Sequence, residues 1–134
     1  MKEVVVLTSA VLIVIINGII GHYYPTSGIM GTPIILGITS VIIVMGLGRK
    51  SGSILKSIFL IVCALLNDFL IRNYSGGILD REGAYLITLY LFYGSIVSYL
   101  VLILGTFNSN DKTRKKISAL VLFPLVMGLY LGMM

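Results

Sequence analysis

The sequence predicts an all-α fold: a polytopic transmembrane helical bundle of about five spans, forming a single domain over residues 1–134. Two observations carry that expectation. Only 11% of the residues are charged while 57% are hydrophobic, and the mean hydropathy is +1.05. A soluble domain carries about a quarter charged residues, so this chain cannot cover a globular surface with groups that water solvates well, and lipid is the simpler solvent. Second, the charges collect in short clusters between long apolar runs. Continuous runs argue for helices; the alternating ten-residue segments of a barrel are absent.

Five runs define the spans, at residues 4–20, 29–47, 53–71, 84–105 and 117–133. Roughly 20 helical residues cross a hydrocarbon core of about 30 Å, and backbone groups in lipid must be satisfied within the helix or a closed barrel. The first run resembles a signal-peptide core, but no A-x-A-like cleavage site follows Asn17, so it is expected to be retained. The third run carries Lys56 near its start and Asp68 near its end. Lys56 is close enough to the edge to be expected to snorkel. The fifth is short and contains Pro124, which requires a neighbour to satisfy the carbonyl that proline leaves free.

The basic residues set an expected orientation. With the N-terminus inside, Lys2, Arg49, Lys50, Lys56, Lys112, Arg114, Lys115 and Lys116 lie inside, and only Arg72 and Arg81 lie outside. That asymmetry follows the positive-inside rule and places the C-terminus outside. The expected location is the cytoplasmic membrane of a bacterial or archaeal cell.

Polar residues within spans are costly and need a reason. Asn17, Asn67, Asp68 and Tyr90 fall at comparable depth near the outer ends of spans one, three and four. They are expected to face one another and form an outward polar vestibule for a cation or small polar solute. The inner halves read as aliphatic. A simpler reading of Asp68 pairs it with Arg72 at i,i+4. His22 closes the first span together with Tyr23 and Tyr24, where tyrosines anchor at the interface; a sharper reading pairs His22 with Asp68 as a proton-sensitive contact. In the loop between spans three and four, Asp80 and Glu82 are candidate ligand groups. The plainer view has acidic residues complementing the dipole of the next helix. Gly94 with Ser98 and Gly128 with Gly132 mark expected close helix approaches.

Several chemistries are excluded or unsupported. The basic balance of ten Lys plus Arg against five Asp plus Glu reads as topology signals and headgroup contacts, not nucleic-acid binding. Cys63 and His22 are the sole residues of their kinds, so an intramolecular disulfide and bis-histidine haem ligation by one chain are impossible. No metal-binding, P-loop or nucleophile-elbow motif is present, and no cofactor or catalytic residue is predicted. Three function classes remain: handling of an ion or polar solute, an accessory, assembly or immunity-type subunit acting by lateral contact, and, least supported, an enzyme acting on lipid headgroups. The expected partners are the lipid bilayer and either further copies of the chain or a larger membrane complex.

Overall fold

A computed structural model describes residues 1–74 and 81–134. It contains five helices: α1 (Lys2–Tyr23), α2 (Pro25–Leu47), α3 (Ser53–Tyr74), α4 (Arg81–Phe107) and α5 (Thr113–Gly132). All five are long and apolar enough to cross a membrane. Their order and positions match the five apolar runs, with the ends extended by a few residues.

The extension at the start of α2 replaces an expected loop with a tight reversal. The spacing of the apolar runs predicts a loop over residues 21–28, whereas the chain reverses through Tyr24 alone. Pro25 explains this. Its fixed φ suits the first helical position, and the residue before a proline is pushed to extended geometry; Tyr24 adopts φ −133°. So tight a reversal presses the two helices together, and a Cβ on Gly28 would collide with the Gly21 backbone.

Helix α3 is the axis of the bundle and packs against each of the other four. Around it, α1 packs on α2, α2 on α4, and α4 on α5, while α1 and α5 do not touch. The arc is therefore open on one side of α3. The main core runs along this axis and includes Val14, Leu36, Ile43, Leu60, Ala64, Leu102 and Phe123. A smaller cluster of Ile29, Ile71 and Ile87, backed by Tyr90, closes the end nearest Tyr24.

The α2–α4 seam is close. A Cβ on Gly94 would meet the Leu36 side chain at 2.7 Å, and one on Gly105 would overlap Val44. Ser40 Oγ and Ser98 Oγ pair across it at 2.8 Å. Thus Gly94 and Ser98 both sit at a close approach. Gly128 and Gly132 do not, since an added Cβ at either meets nothing within 4 Å; the expectation that they pack within the bundle is corrected. Pro124 is accommodated by a neighbour. It leaves the Leu120 carbonyl without its helical partner, and the Tyr99 hydroxyl of α4 donates to that carbonyl at 3.0 Å. The Tyr99 ring also stacks on Phe123, with centroids 5.9 Å apart.

Candidate functional site

Two polar assemblies occupy the half of the bundle nearest Tyr24, and they lie on opposite flanks of α3. The first is a closed ring joining α1, α2 and α3. Asn17 Nδ2 donates to Asn67 Oδ1 at 2.8 Å and to the Gly28 carbonyl at 3.3 Å. Asn67 Nδ2 donates to Thr32 Oγ1 at 3.2 Å, and the Thr32 hydroxyl donates to the same Gly28 carbonyl at 3.3 Å. Asn17 and Asn67 are each 1% exposed. Buried amides that find partners avoid the desolvation cost of orphaned polar groups, and here they tie three helices together.

The second assembly joins α3, α4 and α5. Arg72 Nε donates to both Asp68 oxygens, at 3.0 and 2.9 Å, and the Tyr130 hydroxyl donates to Asp68 Oδ2 at 2.5 Å. Arg72 Nη2 continues to Thr88 Oγ1 at 2.9 Å and to Met134 Sδ at 3.0 Å. The Asp68 side chain is 0% exposed and that of Arg72 is 26% exposed. A buried carboxylate needs this company: an unpaired charge in a low-dielectric interior is far costlier than a paired, hydrogen-bonded one.

The expected vestibule is therefore divided and sealed. Asn17 and Asn67 come together, but Asp68, one residue on, turns about 100° around the helix and faces α5. Tyr90 packs against the Ile29, Ile71 and Ile87 cluster and joins neither assembly. His22 does not reach Asp68; its Nδ1 lies 2.8 Å from the Tyr74 carbonyl. Because a carbonyl only accepts, that nitrogen donates, and the contact ties the end of α1 to the end of α3. Glu82 is exposed in the first turn of α4, where the helix dipole favours an acidic side chain. Asp80 lies outside the described residues.

The opposite half, expected to be aliphatic, also holds buried polar groups. Lys56 is 1% exposed and does not snorkel. Ser57 Oγ and Thr106 Oγ1 are buried there without a hydrogen-bond partner among the described residues. The two loops at this end are bound together: Asn110 N–H donates to the Arg49 carbonyl at 3.2 Å, and Ser53 Oγ pairs with Ser109 Oγ at 2.9 Å. Asp111 accepts from the Ser53 backbone N–H at 2.5 Å, capping the start of α3. That bond, more than any neighbouring charge, holds the Asp111 carboxyl below its usual range.

Tyr130 is not among the residues that the sequence singles out. It lies at the depth used to group Asn17, Asn67 and Tyr90, so the same depth criterion applied to span five would have found it. Among the described residues, no group of three or more His, Cys, Asp or Glu side chains is placed to hold a metal ion. Taken by the length and composition of its helices, the chain is a small polytopic helical membrane protein, with ionisable and amide side chains used as ties between helices. No protein-family model, curated protein or solved structure matches it.

Proposed function

We propose that the chain serves as an accessory or assembly-type membrane subunit acting through lateral helix contacts. The observation that carries this reading is the closure of its intramembrane polar residues. Asn17, Asn67 and Asp68 are buried and hydrogen-bonded within the bundle, so they offer a solute no open surface. What remains for recognition is the flank. With α1 and α5 apart, Ile58, Val62 and Phe69 of α3 lie exposed in the opening. Gly128 and Gly132 of α5 leave room for another backbone to approach. On this proposal the N-terminus faces inside and the C-terminus outside, in a bacterial or archaeal cytoplasmic membrane, and the partner is a second copy or a larger membrane complex.

The test is thiol cross-linking in native membranes with single cysteines placed in a Cys63→Ala background. Val62→Cys should give a discrete cross-linked species, while Ile34→Cys, exposed on α2, should not. Equal cross-linking at both positions, or none at Val62, counts against lateral recognition through the α3 opening.

A second reading, ion or polar-solute handling, is favoured by Arg72. Its partly exposed guanidinium covers Asp68, and its displacement would uncover the carboxylate beside Thr88 and Tyr130. Loss of solute binding or uptake in Asp68→Asn, with insertion and purification intact, would support this reading over the first.

A further inference from the structure

The half of the bundle farthest from Tyr24 holds a cation that the fold does not satisfy. Lys56 lies in the first turns of α3, where the helix dipole disfavours positive charge, and it is 1% exposed. Among the described residues its ammonium makes no hydrogen bond or salt bridge. Asp111 attracts it but forms no salt bridge with it, its Oδ2 accepting from the Ser53 backbone N–H instead. Among the described residues the other buried charge, Asp68, is ion-paired and hydrogen-bonded, whereas Lys56 has no such bond, and an enclosed charge without a bonded partner calls for a counter-charge.

The surroundings indicate where that counter-charge comes from. Lys56 lines a cavity of about 390 Å³ together with Arg49 and Asn108, and its walls are apolar residues of α2 and α4 such as Val44, Met45 and Leu104. A third cation raises its positive character: Gly48 also lines the cavity, and the Lys2 ammonium lies 3.9 Å from where a Cβ on Gly48 would stand. Val41 forms part of this cavity and also of a second hollow, of about 420 Å³, which continues along the α2–α4 seam past Gly37 and Val97 toward Pro33. One end of the groove is cationic and the rest is apolar, and both Met45 and Leu104 are exposed on the face that lipid would cover.

We infer that this groove is a binding site for one anionic phospholipid, its phosphate held by Lys56 and Arg49 and an acyl chain lying along the outer face of the α2–α4 seam. Basic pockets between transmembrane helices suit such headgroups. The apolar continuation selects a lipid over a free anion, since inorganic phosphate would leave the groove beyond Val41 unused. A zwitterionic lipid would bring its own ammonium to a site that already holds Lys2, Arg49 and Lys56. The inference is independent of lateral recognition at the α3 opening, because the groove lies between α2 and α4.

The test is native mass spectrometry of the full-length protein in neutral detergent, titrated with phosphatidylglycerol, phosphatidylcholine or inorganic phosphate. The wild type should retain one phosphatidylglycerol per chain, at least about tenfold more tightly than phosphatidylcholine. Each removed cation should weaken retention by about fivefold. Arg49→Gln alters a loop residue, so it reports on the site even if Lys56→Gln fails to fold. Val41→Trp, which fills the junction of the two hollows while leaving every cation in place, should also lose the lipid. Circular dichroism melting of each variant separates loss of the site from loss of the fold. Three results would each overturn the inference: equal retention of the two lipids, retention unchanged in Arg49→Gln, or displacement of phosphatidylglycerol by millimolar inorganic phosphate.

Discussion

The Tyr130 hydroxyl donates to Asp68 Oδ2 at 2.5 Å, joining the far end of α5 to the carboxylate that Arg72 already grips through Nε. This bond reaches a charged acceptor in a buried setting, where such bonds contribute about 1.5–3 kcal/mol. Tyr130→Phe is expected to destabilise the protein by about 1–3 kcal/mol, measured by equilibrium unfolding in detergent. In an Asp68→Asn background the same change should cost clearly less, because neighbours sharing one network are not additive. Equal costs in the two backgrounds would mean that the hydroxyl does not act through Asp68.

The ring of Asn17, Asn67 and Thr32 makes a different prediction, because its members are neutral. Asn17→Leu or Asn67→Leu alone leaves a buried amide without its partner and should cost about 1–3 kcal/mol. The double substitution removes both amides together, and replacing both partners by apolar groups is often nearly neutral. The double variant should therefore be more stable than either single variant. A double variant less stable than both would show that the amides do more than satisfy each other.

Tyr99 is expected to matter because of Pro124. Tyr99→Phe strips the Leu120 carbonyl of its donor and should cost about 1 kcal/mol. Pro124→Ala restores a backbone N–H that can donate to Leu120 in the helix. In that background Tyr99→Phe should be nearly silent. The pair of thermal melts decides it: a cost that persists without the proline would assign the role of Tyr99 to its stacking on Phe123.

Orientation can be read directly. Cysteines at Tyr24 and at Asn110, both exposed in loops at opposite ends, should differ in sealed cells, with an impermeant reagent labelling Tyr24→Cys and sparing Asn110→Cys. Labelling of Asn110→Cys would reverse the proposed topology.

The spans were legible because their signal is redundant: each run is long, four of the five are uncharged and the third carries only Lys56 and Asp68 near its ends, and all are bounded by charge or turn residues. The meeting of Asn17 and Asn67 was legible from depth, since each is a strongly polar residue near the same end of its span. The direction of Asp68 was not, because depth says nothing of the angle around a helix. Two adjacent residues near one end of α3 face different neighbours, and only the packing of all five helices fixes which. Lys56 illustrates the same gap. Its distance from the helix end suited snorkelling, but it shares the buried stripe of Leu60, Cys63 and Asn67, at helical spacing i, i+4, i+7 and i+11. Because α3 is the central helix, that stripe is enclosed to its very start, and centrality is a property of the assembled bundle.

The claim that Asp68 is a sealed, ion-paired tie can be tested on the unaltered protein. A hydrophobic carbodiimide attacks protonated carboxyl groups in apolar, accessible sites, including those that bind cations within membranes. Membranes containing the wild-type protein would be treated with the reagent, with and without sodium or lithium, and the peptide bearing Asp68 examined by mass spectrometry. The carboxylate is 0% exposed and held by Arg72 and Tyr130, so no adduct should form under either condition. An adduct at Asp68, and above all one that added cation prevents, would contradict the sealed tie and place an ion site where Arg72 now sits.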